Sequence, residues 1–204
     1  MQIHASVMKH FFIAAMVLIA VGCSTNPKVD RIAPDSTTDL SGDWNDTDSR
    51  LVAEEMIQDS LSHPWIANFI RTKGHQPAVI VGEVKNLSHE HINVNTFVND
   101  MQRALINSGR VEFVASSEER QEIRDERMDQ DLHASEETRN RAGQEVGADF
   151  MLKGSINTIY DTISKKETRY YQVDLTLISL ADNRKVWVGQ KKIKKAVKNP
   201  QFRF

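Results

Sequence analysis

The sequence predicts an α/β domain in which helices flank a mixed β-sheet. Residues 78–84 form a nearly continuous apolar run, which is typical of a strand buried on both faces. An amphipathic helix and the short apolar stretch 111–114 follow, and together they predict a βαβ unit with parallel strands. Farther on, apolar and polar residues alternate in stretches joined by short turns, which indicates an antiparallel meander. Strands of both orientations in one chain predict a mixed sheet.

Two helices are expected ahead of the first strand. Apolar residues recur at helical spacing from Val52 onward, and either Asp46 or Asp48 can cap the first turn. The stretch 62–64 breaks this helix, and the proline in it suits the first turn of a second helix. Gly74 is expected to end that second helix.

The helix between the first two strands is the clearest one in the sequence. Phe97, Met101 and Leu105 lie four residues apart and define its apolar stripe. Asn95 is expected to cap this helix, and Gly109 is expected to end it.

Two more helices are expected before the meander. A charged helix with few apolar anchors covers 116–132 and should be exposed. Ser135 is expected to cap a further short helix that ends at Gly147.

The meander consists of three predicted strands. Apolar residues alternate within 150–156 and again within 171–177, so each strand should bury one face. A polar hairpin tip is expected at 161–168, a turn at 181–183 and a last strand at 185–193. Trp187, between two valines of that last strand, is expected to lie in the core rather than to serve as a stacking platform.

The N-terminal region has the pattern of a secretion leader. Phe11–Val21 is apolar throughout, which matches the core of a signal peptide and is too short to span a bilayer. Lys9 supplies the positive charge ahead of it, and Met8 is the expected start of translation. The leader ends next to Cys23, the only cysteine of the chain, so an intrachain disulfide is excluded.

Three roles are open to Cys23. A nucleophilic thiolate needs a basic, partly shielded setting, which the end of a leader does not offer. An unmodified small residue is the plainest alternative. The sequence Ala20-Val21-Gly22-Cys23 resembles the bacterial lipobox, in which the cysteine is acylated and the leader is cut before it. We therefore expect residues 1–22 to be a lipoprotein signal peptide and Cys23 to carry lipid, and Ser24 favours the outer membrane, facing the periplasm.

The rest of the chain divides by composition. The segment 23–45 is rich in Ser, Thr and Asp, has no hydrophobic period and is predicted to be a lipidated, flexible tether. A single globular domain is expected over 46–198, with a tail at 199–204. Trp44, near the end of the tether, either fastens the tether to the domain or contacts a partner, and the sequence leaves both open.

The sequence offers no recognisable catalytic set. It contains no nucleophile elbow, phosphate-binding loop or dinucleotide fingerprint. His89 and His91 are the best metal candidates, but two ligands do not complete a site, so no metal, cofactor or small-molecule substrate is expected. The net charge of -2 predicts no nucleic-acid partner. The basic stretch 184–203 either favours an anionic partner or is a solvated strand and tail.

A binding protein of this fold would be expected to use the loop 85–93 first. This loop leaves a central strand at its carboxyl end, where open α/β sheets present ligands. Asn86, His89 and His91 are the predicted contact residues, and an ordinary surface loop is the alternative.

Three stretches are distinctive in combination: "NSGRVEFV" at 107–114, "GAD" at 147–149 and "KVWVG" at 185–189. Together with their surroundings, over about 39–195, they resemble the LpoB-type family of outer-membrane lipoproteins that activate penicillin-binding proteins. The resemblance implies a fold like the N-terminal domain of TolB. It also implies a non-enzymatic role, in which the lipoprotein reaches a bifunctional peptidoglycan synthase and raises its glycosyltransferase and transpeptidase rates. The resemblance implies only one functional residue of this chain, the acylated Cys23.

Two other hypotheses stay open. The chain could be an envelope assembly or secretion lipoprotein related in fold to the curli-secretion channel lipoproteins, with the alternating stretch 170–180 as its candidate membrane-crossing strand. It could also be an enzyme or metal protein whose site the sequence does not reveal.

Overall fold

The computed structural model describes residues 29–140, 143, 145–163 and 166–198. Its strands are β1 (Ala78–Asn86), β2 (Glu112–Phe113), β3 (Phe150–Ile163), β4 (Lys166–Ser179) and β5 (Lys185–Lys198). They form one five-stranded sheet in the order β2-β1-β3-β4-β5. β1 runs parallel to both β2 and β3, whereas β3, β4 and β5 pair antiparallel. The predicted α/β fold with a mixed sheet is confirmed, as is a βαβ unit followed by a meander.

Four helices lie in the same described residues: α1 (Asp46–Ser62), α2 (Trp65–Lys73), α3 (Asn95–Asn107) and α4 (Ser117–His133). Gly74 ends α2 with a φ of 79°, a left-handed conformation that glycine adopts without strain. The sheet and these helices lie in a compact unit that begins at Thr37.

One face of the sheet carries the core. Alternate residues of β4 point into it, and Tyr171 and Leu175 are both 0% exposed. Side chains from α1 and α3 fill the same cluster, among them Met56 and Phe97. Trp187 is 2% exposed and belongs to this core, as predicted.

The other face of the β3–β5 region is open to solvent. Gln172, Asp174 and Thr176 of β4 are half-exposed there, between the buried residues of the same strand. Lys192 and Lys194 of β5 are exposed, and they pair with Gln172 and Tyr170 of β4. The alternation predicted for 171–177 is therefore observed in β4.

Several predicted boundaries of the first half are corrected. The residue that caps α1 is Asn45, whose side chain accepts the backbone N–H of Asp48. Asn95 is the first residue of α3 rather than its cap. β1 extends to Asn86, so the loop that follows it starts later than predicted, and β2 is limited to 112–113.

The second half differs more. The stretch 135–140 makes a single turn instead of the predicted helix, with the Ser135 carbonyl accepting the N–H groups of Thr138 and Arg139. A helix of this size is stable only when an apolar face packs against the rest of the domain. Val146, an apolar residue of this segment, is 64% exposed and so does not supply such packing. β3 and β4 continue through the predicted hairpin tip up to Ile163 and Lys166. β5 likewise continues beyond 193 to Lys198.

Candidate partner-binding site

The loop after β1 is shaped by Asn86. Its side-chain oxygen accepts hydrogen bonds from the backbone N–H and the hydroxyl of Ser88, at 3.0 and 2.6 Å. Its amide group donates to the carbonyl of Glu90 at 2.8 Å. Asn86 is half-buried, so two of the three predicted contact residues remain on the outside of the loop.

Those two residues are His89 and His91, and both are exposed. The ring of His89 lies 6.0 Å from the ring of Tyr160, while His91 points to solvent. Within the ranges that the structure describes, no three His, Cys, Asp or Glu side chains form a group that could hold a metal ion. Asn86, His89 and His91 stay predictions as partner contacts, and Cys23 lies outside the described residues.

Glu90 is the centre of the polar contacts in this region. Its side chain is 16% exposed. One carboxylate oxygen accepts the backbone N–H of Trp44 at 2.8 Å, and the other accepts the hydroxyl groups of Tyr160 and Tyr171, the latter at 2.5 Å. A guanidinium nitrogen of Arg169 lies 3.6 Å from the same oxygen. We call these five residues the Glu90 cluster.

The electrostatics of the Glu90 cluster favour a charged carboxylate between neutral phenols. Burial alone would raise the pKa of Glu90, but hydrogen bonds from Trp44, Tyr160 and Tyr171 outweigh it and hold this pKa below its ordinary value. Burial and the hydrogen bond to Glu90 raise the pKa of Tyr160 to about 12. The same two causes raise the pKa of Tyr171. The cluster therefore keeps one fixed protonation state at neutral pH.

The segment 39–45, which we call the docked segment, packs against the domain through Trp44. The indole ring meets Tyr171 edge-on, with the ring centroids 5.5 Å apart, and lies 6.4 Å from Phe97. Its N–H donates to the hydroxyl of Ser49 at 2.8 Å. Of the two roles that the sequence left open for Trp44, the structure shows the first, since the side chain fastens this segment to the domain.

Gly42 and Asp43 hold the same segment to the strands. The carbonyl of Gly42 accepts the Tyr171 hydroxyl at 3.0 Å, and Asp43 forms an ion pair with Arg169. A Cβ atom at position 42 would lie 2.2 Å from a methyl group of Val197, so a side chain does not fit there without a shift. The predicted tether thus contacts the domain over its last residues.

Lys195 joins the docked segment to α1. Its ammonium group lies 3.1 Å from the carboxylate of Asp39, 3.0 Å from the carbonyl of Asp43 and 2.5 Å from the carboxylate of Asp48. Asp48 is 2% exposed, and its burial raises its pKa even though Lys195 opposes the shift. Lys195 belongs to the basic stretch 184–203, for which a solvated strand and tail was one of the two interpretations.

A second concave surface lies at the other end of β4. This cleft of about 850 Å³ is bounded by α2 and by the turn that joins β4 to β5. Its floor is aromatic, because Phe150 meets Trp65 and Phe69 edge-on, with ring centroids 5.5 and 5.1 Å apart. Leu180 is 46% exposed at the rim. We call this surface the distal cleft.

The carboxylates of the distal cleft are already engaged. Asp149 accepts the backbone N–H of Ala78 at 2.9 Å, and Asp182 is paired with Arg184. Hydrogen bonds from the hydroxyl of Ser179 and from Arg184 lower the pKa of Asp182. What remains at the rim is cationic, since Lys73 and Lys185 are exposed and neither forms an ion pair within the described ranges.

Sequence reasoning missed both the Glu90 cluster and the distal cleft. A lone glutamate in a polar loop carries no local signal, and its partners Trp44, Tyr160 and Tyr171 lie 46, 70 and 81 residues away. The one usable signal was Trp44, an aromatic residue in an otherwise polar segment.

Comparisons with known proteins were made for the sequence and for the fold. A family model described as "Peptidoglycan-synthase activator LpoB" matches residues 48–193. No curated protein sequence matches the chain.

Solved structures with a similar fold include a lipoprotein from Neisseria meningitidis (13% identity, 62% of this chain and 88% of that one, TM-score 0.39). They also include LpoB C-terminal domains from Escherichia coli (16%, 69% and 96%, TM-score 0.35) and Salmonella enterica (19%, 67% and 94%, TM-score 0.31). These likenesses concern the fold alone. In the part of the chain that is described, no helix is long and apolar enough to cross a membrane.

Proposed function

The chain belongs to the LpoB family of peptidoglycan-synthase activators, and from this premise we propose that it is an outer-membrane lipoprotein that binds and activates a bifunctional penicillin-binding protein. The observation that carries the proposal is the family match, which spans 48–193 and so runs from the first turn of α1 through β1 to β4 and into β5. The domain would itself do no chemistry.

Activation then follows from binding alone. A protein that binds an active conformation of the synthase more tightly than an inactive one shifts the synthase toward the active state. A tenfold preference corresponds to about 1.4 kcal/mol, which a modest interface can supply.

The proposed anchor is lipid on Cys23. One acyl chain binds a bilayer only reversibly, with about 0.8 kcal/mol for each buried CH₂, so the two or three chains of an acylated cysteine are what makes attachment stable. Because the docked segment begins at Asp39, the predicted tether is limited to the 16 residues 23–38. Their reach is about 55 Å.

The proposal is tested first by capture. The soluble chain of residues 24–204 is immobilised and incubated with detergent-solubilised envelope of the source organism, and bound proteins are identified by mass spectrometry. We expect enrichment of a bifunctional synthase, and a faster rate of glycan polymerisation when the purified pair is mixed at equal concentration. Recovery of the chain itself or of secretion components, without any synthase, would instead support the assembly hypothesis.

The anchor is tested separately by fractionation. The Cys23→Ala variant should leave the outer-membrane fraction, because it has no acceptor for lipid. The Ser24→Asp variant is the matched control, since it keeps the cysteine and should move the protein to the inner membrane. If the alanine variant stays in the outer-membrane fraction, Cys23 is not the anchor.

A further inference from the structure

The domain has two functionally different ends along β4. The docked segment contacts Arg169 and Tyr171 near the start of β4, whereas the distal cleft includes Ser179 at its end. Eight residues of strand separate Tyr171 from Ser179, which corresponds to about 26 Å. The chain therefore leaves the domain toward its N-terminus at one end, and the cleft opens at the other.

This arrangement determines which end meets a distant partner. On the proposed function, a tether of about 55 Å has to extend toward a synthase in the opposite membrane. An extended tether pulls on the domain where it is attached, so the attachment point trails and the opposite end leads. The leading end is the one that carries the distal cleft, while His89 and His91 lie at the trailing end near Tyr160.

The chemistry of the cleft indicates what it can hold. The edge-to-face cluster of Trp65, Phe69 and Phe150 offers an apolar floor to a large side chain. Lys73 and Lys185, which form no ion pair within the described ranges, also line the cleft, whereas Asp149 accepts a backbone N–H and Asp182 is paired with Arg184. An apolar floor below unpaired cations is complementary to an apolar side chain flanked by carboxylates.

We propose that the distal cleft is the docking site for an acidic peptide segment of the partner synthase, with an aliphatic or aromatic side chain seated on the aromatic floor and carboxylates against Lys73 and Lys185. This inference rests on the proposed function for the identity of the partner and on the cleft itself for the chemistry. The docking should weaken as salt rises, because its ion pairs are exposed.

The first test uses the captured synthase. The Lys73→Glu/Lys185→Glu double variant should bind it at least tenfold more weakly than wild type. The Lys192→Glu/Lys194→Glu variant is the matched control, because it makes the same change of charge on the solvent-exposed face of the sheet and should bind within twofold of wild type. If the first variant binds as well as wild type, the cleft is not the docking site.

A second test needs no synthase. The blocked peptide Glu-Leu-Asp-Phe-Glu is titrated into ¹⁵N-labelled chain, and its basic counterpart Lys-Leu-Lys-Phe-Lys serves as the control. We expect shifts of the Trp65 indole N–H, which donates to the Ser60 carbonyl at 3.0 Å, and of the Leu180 and Lys185 amides, with the acidic peptide alone. Equal shifts with both peptides, or none at the cleft, would overturn the proposal.

The two failures can be told apart. If wild type binds no synthase but the acidic peptide shifts the cleft, the proposed function is wrong and the cleft remains a site for acidic peptides. If the His89→Ala/His91→Ala variant binds the synthase less tightly than the Lys73→Glu/Lys185→Glu variant does, the trailing loop is the interface and the inference is wrong.

Discussion

Replacing Trp44 with alanine should destabilise the whole domain, because the docked segment belongs to the fold. The indole ring contacts Tyr171 and lies near Phe97, and its N–H donates to Ser49. The change removes these contacts and leaves Tyr171, one of the most deeply buried residues of the core, open on one side.

The magnitude follows from the degree of burial. A fully buried aromatic residue costs about 3–5 kcal/mol when it is truncated to alanine, and Trp44 is only half-buried. Loss of its side-chain hydrogen bond adds about 1 kcal/mol. We therefore expect the free energy of unfolding to fall by about 2–3 kcal/mol, which lowers the Tm by roughly 5–10 °C for a domain of this size.

The assay is urea unfolding followed by circular dichroism at 222 nm, which does not depend on the fluorescence of the missing tryptophan. Leu40→Ala is the matched control, because Leu40 lies in the same segment and is 93% exposed. It should change the free energy of unfolding by less than about 0.5 kcal/mol. If Trp44→Ala changes it as little, residues 39–45 are part of the tether in solution and the reasoning about reach is wrong.

Three further predictions concern the same region. Gly42→Ala should cost about 1–3 kcal/mol because its Cβ would meet Val197, and adding Val197→Ala should restore most of the loss in the same urea assay. Glu90→Ala should cost about 3 kcal/mol, since it removes the acceptor of both tyrosine hydroxyls, and Glu90→Gln, which keeps an acceptor, should cost less; equal losses would contradict this account. Because the pKa of Tyr160 is raised to about 12 and that of Tyr171 is raised as well, the stability they contribute is complete below pH 10 and is lost as the pH rises toward 12. Thermal unfolding at pH 9, 10 and 11 checks this, and a flat Tm across that range would refute it.

The strands of the core could be predicted because burial imposes a period on the sequence. Val79 and Ile80 are consecutive and both buried, as expected for a strand covered on two faces. Tyr171, Val173 and Leu175 alternate with polar residues because β4 has one face in the core.

The end of β5 could not be predicted in the same way. Lys191 and Lys195 occupy the inward positions of the strand, where a sequence pattern expects apolar residues. They are tolerated because Glu55 and Asp48 of α1 pair with them, at 3.0 and 2.5 Å. Those partners lie about 140 residues away in the sequence, so the lysine-rich stretch is interpreted as a basic tail unless the fold is known.

The candidate sites were even harder to predict from the sequence than the end of β5. Asn86 is predicted to meet a partner, which stays a prediction, and its side chain also shapes its own loop through Ser88 and Glu90. An amide after a strand predicts either role equally well, because loop-forming and partner-binding residues are of the same types. The distal cleft depends on α2 meeting the turn after β4, which no local pattern specifies.

The position of β5 at the edge of the sheet has a consequence for the proposed attachment to a crowded membrane surface. Its fourteen residues leave one row of backbone groups free to pair with a strand of another molecule, which is how edge strands start aggregation. Six of those residues are lysines, and the exposed Lys192 and Lys194 among them would repel their counterparts on a second such edge. On the proposed lipid anchor, copies of this chain held side by side at high density would thereby stay separate molecules.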